Sequence, residues 1–295
     1  MGVACSESPS KSFFLHPRNR YRRKHDFPAL VAQEPRLADH LLTNPAGQPT
    51  LDFGDRRALL LLNRTLLRRD YGLRHWDLPE GHLIPPIPGR LDYIHTLADL
   101  IGTAERPRIL DIGTGASLIY PILGVLEYGW QFVGTDISPR AVKVAGAIAG
   151  MNPQLKKKVT VRLQADPQSI FAGVVTERDY FTATMCNPPF YESREAAVAA
   201  ARKKWQKLGR EDTGLNFGGS DSELWTPGGE WQFLLRMLRE SAAYAERVDW
   251  FTTLVSKGGY LKSATAQLER LRAAEVRVLP MHQGNKKSRL LAWRF

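Results

Sequence analysis

The stretch Arg108-Ile109-Leu110-Asp111-Ile112-Gly113-Thr114-Gly115 sets a short apolar run, interrupted by one acid, ahead of two closely spaced glycines. A run of this length that ends at glycines has the signature of a buried strand turning sharply at its C-terminal end. Glycines there let the backbone turn tightly and approach a ligand, and the helix that follows offers unpaired N–H groups in its first turn. Working outward, the periodicity predicts a strand over 108–111, a helix over 117–128, a strand over 131–136, a helix over 139–151 and a strand over 159–163. These are βαβ units, which build parallel sheets.

The alternation continues with a strand over 180–186, a helix over 230–246, a strand over 250–255 and a helix over 261–274. Two closing strands, 276–281 and 288–295, are joined by Gln283-Gly284-Asn285-Lys286-Lys287. The expectation is an α/β, Rossmann-like fold: a seven-stranded, mostly parallel sheet with helices on both faces and an antiparallel hairpin at one edge. Upstream, Asp55 can cap a helix in which Leu59, Leu62, Leu66 and Tyr71 recur at helical spacing before Gly72. Pro79, Pro85, Pro86 and Pro88 then break regular structure, and a second amphipathic helix runs over 90–101 to Gly102. The domain boundary is placed near residue 88, with 1–88 as a basic, helical N-terminal extension and 89–295 as the sheet domain.

Lys plus Arg number 41 against 30 Asp plus Glu, a net charge of +11, which is the electrostatic profile of a protein that meets phosphate. Residues 1–25 concentrate it: Lys11, Arg18, Arg20, Arg22, Arg23 and Lys24 stand against the single acid Glu7, with no helical or strand period. That pattern predicts a flexible basic arm. Residues 192–229 also fit neither period; they carry Arg194, Arg202, Lys203, Lys204, Lys207 and Arg210, then Gly214-Leu215-Asn216-Phe217-Gly218-Gly219. They read as a long mobile insertion, the alternative being a helix with a charged, solvated face over 194–210. The two cysteines, Cys5 and Cys186, build neither a disulfide framework nor a four-ligand zinc site, and the seven histidines form no cluster, so no metal is expected. With no apolar stretch of signal-peptide or membrane-spanning length, a cytoplasmic protein is expected. No segment suggests a dimerisation helix, so a monomer is expected.

Asp136 lies 21 residues after Gly115, at the end of the second strand, where a carboxylate can accept the hydroxyls of a nucleoside ribose. Two cofactors suit this arrangement, a dinucleotide and S-adenosylmethionine. A dinucleotide fingerprint wants a third glycine, but positions 113, 115 and 118 read Gly, Gly and Leu. Asp111 would also repel a phosphate and attract a cationic amino group. The methyl donor is therefore favoured, with Asp111, Gly113, Gly115 and Asp136 as its candidate contacts.

The fourth strand ends in Met185-Cys186-Asn187-Pro188-Pro189-Phe190-Tyr191. In this topology it ends at the switch point of the sheet, beside the donor. Asn187 would present an amide oxygen and Pro188 a carbonyl kept out of any ladder by the prolines, so two acceptors could converge on one NH₂ group of a planar amine. Holding both hydrogens favours the pyramidal geometry in which the nitrogen attacks, and Phe190 would stack on the base, a contact worth roughly 1–3 kcal/mol. A proline turn closing a buried strand would account for Pro188 and Pro189 but not for the polar Asn187. Cys186, after an apolar strand and with no nearby His or Lys, reads as a small core residue rather than a nucleophile.

Several blocks together resemble a known family: Leu15-His16-Pro17-Arg18-Asn19-Arg20-Tyr21, Pro86-Ile87-Pro88-Gly89-Arg90-Leu91-Asp92-Tyr93-Ile94-His95, Asp111-Ile112-Gly113-Thr114-Gly115-Ala116, Cys186-Asn187-Pro188-Pro189-Phe190 and Leu215-Asn216-Phe217-Gly218-Gly219. Nearly end to end, the chain is similar to the bacterial 23S ribosomal RNA adenine-N6 methyltransferases, and a eukaryotic U6 small nuclear RNA adenine methyltransferase shares many of the blocks. Asn-Pro-Pro-Phe alone also occurs in DNA adenine and protein glutamine methyltransferases. The resemblance implies a class I methyltransferase using S-adenosylmethionine, with Arg90, Gly113, Ser117, Asp136 and Asn187 around the donor. It implies that Asn187 to Phe190 hold the target adenine and that Arg18, Arg20 and Arg22 grip RNA. Arg23 and Lys24 in the arm and Arg202, Lys203 and Lys204 in the insertion join them as candidate RNA contacts. The expected partner is 23S ribosomal RNA or a large-subunit assembly intermediate. Asp136 departs from the Glu common at this place, being one methylene shorter.

Overall fold

A computed structural model describes residues 15–23, 25–207, 224–283 and 286–295. Its main sheet has seven strands: β3 (Arg108–Ile112), β4 (Gln131–Asp136), β5 (Val159–Leu163), β6 (Phe181–Cys186), β7 (Val248–Val255), β8 (Glu275–Gln283) and β9 (Lys286–Arg294). In space they run β5-β4-β3-β6-β7-β9-β8. Every pairing from β5 to β7 is parallel, and β9 runs antiparallel to both β7 and β8. The order reverses between β3 and β6, where Ile112 is level with Cys186. That reversal opens a crevice beyond the strands' C-terminal ends.

Successive residues of a strand face opposite sides. Ile109 accordingly joins one core cluster with Leu66, Ile94, Leu123 and Ile148, while Leu110 joins the other with Phe171, Phe181, Phe251 and Trp293. Each fully buried Leu, Ile or Phe contributes roughly 1.5–3 kcal/mol over the exposed state. Two layers of core therefore hold β3 rigidly, and Asp111 and Gly113 with it.

The helices follow from their caps. Ser138 accepts the Ala141 N–H at 3.2 Å and starts α5 (Pro139–Met151), and Asp55 accepts the Arg57 N–H at 2.8 Å and starts α2 (Arg56–Tyr71), which Gly72 ends in the left-handed region at φ 64°. α3 (Ile87–Ile101) is buried almost all round, packing on α4 (Ile119–Tyr128) and β8. α4 begins two residues later than the periodicity suggests because Leu118 takes a left-handed φ of 52°, which leaves Ser117 in the preceding turn.

Three expectations need correction. Residue 88 falls inside the first turn of α3, where a proline at the second position lacks only an N–H that would be unpaired anyway. Leu30, Leu37 and Leu66 of the extension share one core cluster with Ile109 and Leu123, so packing is continuous across residue 88. Over residues 15–23 the arm is tied down rather than flexible: Asn19 is buried, its amide donating to the Pro88 carbonyl at 2.8 Å and to Asp92 at 2.7 Å. The insertion takes the helical alternative over its first part, α6 (Arg194–Lys207), while 208–223 lie outside the described residues. Between 27 and 51 the structure adds α1 (Phe27–Gln33), a 3₁₀ turn (Pro35–His40) and a small hairpin of β1 (Leu41–Thr43) and β2 (Pro49–Leu51), none of them anticipated. Two further helices, α7 (Gly229–Ser241) and α8 (Gly259–Arg270), flank β7.

Candidate active site

Asp111, Gly113, Gly115, Asp136 and Asn187 come together at the C-terminal ends of β3, β4 and β6. Gly113 and Thr114 donate their N–H groups to the Thr135 carbonyl, both at 2.9 Å, which folds the turn onto β4. Gly134 makes room for this, since a Cβ there would stand 2.9 Å from the Thr114 hydroxyl. Gly113 itself has φ +73°, and a Cβ added to it would meet nothing within 4 Å, so the turn borders open space where a ligand can approach.

Asp136 accepts the Gly115 N–H at 2.9 Å and the Ser138 N–H at 2.9 Å. A carboxylate has about four acceptor directions, so two backbone bonds do not exhaust it for ribose hydroxyls. Asp111 is different. It is completely buried, and neither oxygen has a hydrogen-bond partner among the described residues. Burial pushes its carboxyl up to about 7 and Asp136 adds to the rise, while the Thr114 hydroxyl, nearby but not in hydrogen-bonding geometry, and Arg90 oppose it. A buried carboxylate without a donor is costly unless something cationic joins it. An ammonium group beside Gly113 would supply that donor.

Arg90, on the first turns of α3, donates to the Tyr120 hydroxyl at 2.9 Å and lies across that ring at 5.4 Å. Ser117, buried in the turn before α4, accepts the Trp76 indole N–H on its carbonyl at 2.8 Å. Asn187 is half-buried and Pro188 buried, and among the described residues no group bonds the Asn187 side-chain amide or the Pro188 carbonyl. Pro189 is half-buried and Phe190 is 39% exposed, so an aromatic face is offered at the lip of the crevice. Cys186 is buried, its thiol pushed well up by burial and by nearby Asp111, as befits a core residue. Among the described residues no three of His, Cys, Asp and Glu are placed to hold a metal ion.

Two contributors escaped the sequence reading. Tyr93 is fully buried; its hydroxyl accepts the Cys186 N–H at 3.2 Å and pairs with the Thr252 hydroxyl at 2.8 Å. Thr252 in turn donates to the Thr184 carbonyl at 2.6 Å, so α3 and β7 fix the end of β6 one residue before Asn187. The only signal was the place of Tyr93 in the block around Arg90. Glu230, at the start of α7, is buried and accepts the Ser256 N–H at 2.5 Å and its hydroxyl, tying α7 to the turn after β7.

The candidate RNA contacts are elsewhere. Arg18 bonds Asp99 at 2.5 Å and the His95 carbonyl at 3.1 Å; Arg20 pairs with Glu127 at 2.8 Å and lies over the Tyr71 ring at 4.5 Å. Glu127 belongs to the end of α4 that leads into β4, so this anchor sits toward the strands' N-terminal ends, away from Asn187. Arg22 and Arg23 are exposed, and Lys24 lies outside the described residues. Arg202 is exposed on α6, which also carries Lys203 and Lys204 in its backbone. Tyr191 and Trp225 form a parallel bridge, with the Tyr191 N–H bonded to the Leu224 carbonyl at 3.1 Å, which closes the neck of the insertion just after Phe190.

Comparisons with known sequences and structures bear on the family and the fold. The profile of a family described as RNA methyltransferase matches residues 9–295. The chain belongs to this RNA methyltransferase family. It is 46% identical to "Ribosomal RNA large subunit methyltransferase F" of Psychrobacter sp. (strain PRwf-1), over 95% of this chain and 93% of that one. Among solved structures it is similar to the human METTL16 catalytic domain in complex with the MAT2A 3′UTR hairpin 1, with a TM-score of 0.83 and 32% identity over 95% of each chain. The N-terminal domain of human METTL16 in complex with SAH matches with a TM-score of 0.77 and 29% identity, over 95% of this chain and 98% of that one. The seven-stranded, mostly parallel sheet of this enzyme is thus the class I methyltransferase fold.

Proposed function

We propose that the enzyme methylates N6 of one adenine in 23S ribosomal RNA, alone or within a large-subunit assembly intermediate, as a monomer in the cytoplasm. The observation that carries this reading is the pair of acceptors left unbonded among the described residues, the Asn187 amide oxygen and the Pro188 carbonyl, beside the exposed Phe190 and next to the Asp111 carboxylate, which has no donor among them either. S-adenosylmethionine, when bound, supplies an electrophilic methyl group. Asp111 would hold its ammonium, Asp136 its ribose hydroxyls, and the Gly113–Gly115 turn, Ser117 and Arg90 the remaining rim.

Asn187 and Pro188 would each accept one hydrogen of the adenine NH₂, drawing the nitrogen lone pair out of conjugation with the ring. Phe190 would stack on the base, offsetting part of the few kcal/mol needed to unstack it from the RNA. No general base is required before attack, because the nitrogen carries its own lone pair and the proton leaves afterwards to solvent. The buried Cys186 takes no part. The test is transfer of radiolabelled methyl to 23S RNA, protein and DNA in parallel, followed by nucleoside analysis. Label in N6-methyladenosine from RNA, lost in Asn187→Ala while donor binding persists, is the expected result. Full activity of Asn187→Ala would overturn the mechanism, and label in protein or DNA instead would overturn the substrate.

A further inference from the structure

Away from the crevice, a groove of about 970 Å³ runs between α2, the connector 73–79 and α5. Six cationic side chains line it against two acids. Arg36 is paired with Glu34 at 2.7 Å and Arg64 with Asp77, which accounts for both acids. Arg68, Arg74 and Lys143 are exposed and make no ion pair or side-chain hydrogen bond among the described residues. The floor is apolar, with Leu73, Trp76 and Ile148 buried and Met151 54% exposed.

The groove has a direction. One end adjoins the arm: Arg69, which lines it, bonds Asp70 at 2.5 Å, and Asp70 also receives the Tyr21 hydroxyl at 2.8 Å and, on its carbonyl, Arg20 at 3.0 Å. The other end reaches Lys143 in the second turn of α5, the helix that starts just after Asp136. The three cations without an ion pair come from three different elements, Arg68 from α2, Arg74 from the connector and Lys143 from α5, so the charge is spread over the walls of the groove instead of sitting on one turn of one helix. Charges carried on separate walls above an apolar floor suit a chain of phosphates with bases or riboses against the floor.

We propose that this groove holds the ribose-phosphate backbone of the substrate RNA, carrying it from the arm along α5 toward the catalytic crevice. The inference rests on the reading of the chain as an enzyme of RNA, and it assigns Arg68, Arg74 and Lys143 to phosphate contacts. Each contact to a single strand adds about 0.7 to the slope of log affinity against log salt, and about 0.9 to a duplex. The full-length variant Arg68→Ala/Arg74→Ala/Lys143→Ala should therefore show a slope shallower by about 2 to 3, measured with 23S transcript and with a generic single-stranded 30-nucleotide RNA. Its melting temperature and S-adenosylmethionine affinity should not change. As a control, Arg239→Ala/Lys262→Ala/Arg270→Ala removes three exposed charges from α7 and α8. An equal loss of slope in the control makes the effect one of net charge and overturns the proposal. So does an unchanged slope in the groove variant, and so does loss of polyglutamate binding without loss of RNA binding, which would assign the groove to an acidic protein. If wild-type protein fails to methylate 23S RNA, the substrate reading fails, while the generic RNA still decides the groove.

Discussion

Asp111 makes donor binding depend on pH in a way that can be worked out beforehand. Burial raises its carboxyl to about 7, so near pH 8 it is mostly ionised, at pH 7 half ionised, and at pH 6 only roughly a tenth. An ammonium can be held only by the ionised form. S-adenosylmethionine and S-adenosylhomocysteine should therefore bind roughly three- to fivefold more weakly at pH 6 than at pH 8, where an ordinary α-amino group is itself only about a third to a half charged, and titration at pH 6 should release about one proton. An ordinary α-amino group loses its charge near 7.7–8.0, so affinity should peak at about pH 7.5 and fall again above it. Methylthioadenosine, which has no amino group, should show no acid limb. Asp111→Asn should abolish the limb and weaken binding roughly 10- to 150-fold, the equivalent of one hydrogen bond to a charged group at about 1.5–3 kcal/mol. Without the donor the sign reverses. The folded pKa stands above the ordinary 3.8, so ionisation costs stability as pH rises from about 4 to 7, and Asp111→Asn should stabilise the protein above pH 7 by at most about 4 kcal/mol. Isothermal titration calorimetry at pH 6, 7 and 8 in two buffers, with thermal melts alongside, checks all of this. A dissociation constant that stays flat from pH 8 to 6, or an Asp111→Asn variant that binds as tightly as wild type, would refute the assignment of Asp111 to the ammonium.

Two further perturbations act through supporting residues. Tyr93→Phe leaves the buried Cys186 N–H without its acceptor at a cost of about 1–3 kcal/mol, so the melting temperature should drop by roughly 2–4 °C per kcal/mol. Methyl transfer should slow in kcat more than donor KM rises, because Asn187 is the next residue; an unchanged kcat would confine Tyr93 to stability. Burial resists ionisation of Asp179, yet hydrogen bonds from Arg162, Thr176 and Arg108 hold its carboxyl well below the usual range. Its contribution is therefore present above about pH 4 and is lost as pH falls below it. Asp179→Asn should cost roughly 1.5–3 kcal/mol at pH 7 and make the acid unfolding transition less steep, as followed by circular dichroism. An acid transition identical to wild type would remove Asp179 from the account.

The centre of the sheet was legible in the sequence because β3, β4, β6 and β7 are short, mostly apolar runs buried on both faces. The residues of the candidate site stand out in the sequence because Asp111 and Asn187 are polar residues at the ends of apolar runs, and the pairing of β3 with β6 brings them to the same end of the sheet. The arm was misread because its partners are remote. Asp92 lies 73 residues from Asn19, and Asp99 lies 81 from Arg18, a separation that no local period records. The prolines before α3 looked like a linker, although Pro88 sits where a helix tolerates one. α1 spans only seven residues and β1 and β2 three each, shorter than the windows in which a hydrophobic period emerges. Tyr93 is an aromatic on a helix crowded with apolar neighbours, and apart from its place in the block around Arg90 nothing in the sequence distinguishes it from ordinary core.

The bridge between Tyr191 and Trp225 makes residues 192–224 a cassette. Both of its ends are pinned by main-chain hydrogen bonds, from the Tyr191 N–H to Leu224 at 3.1 Å and from the Thr226 N–H to Tyr191 at 3.0 Å, so whatever lies between them can change without displacing Asn187. Doubling the length of such a loop costs on the order of only 0.6 kcal/mol. Evolution, or a protein engineer, can therefore exchange the segment between the two pins while the end of β6 that carries Asn187 keeps its geometry.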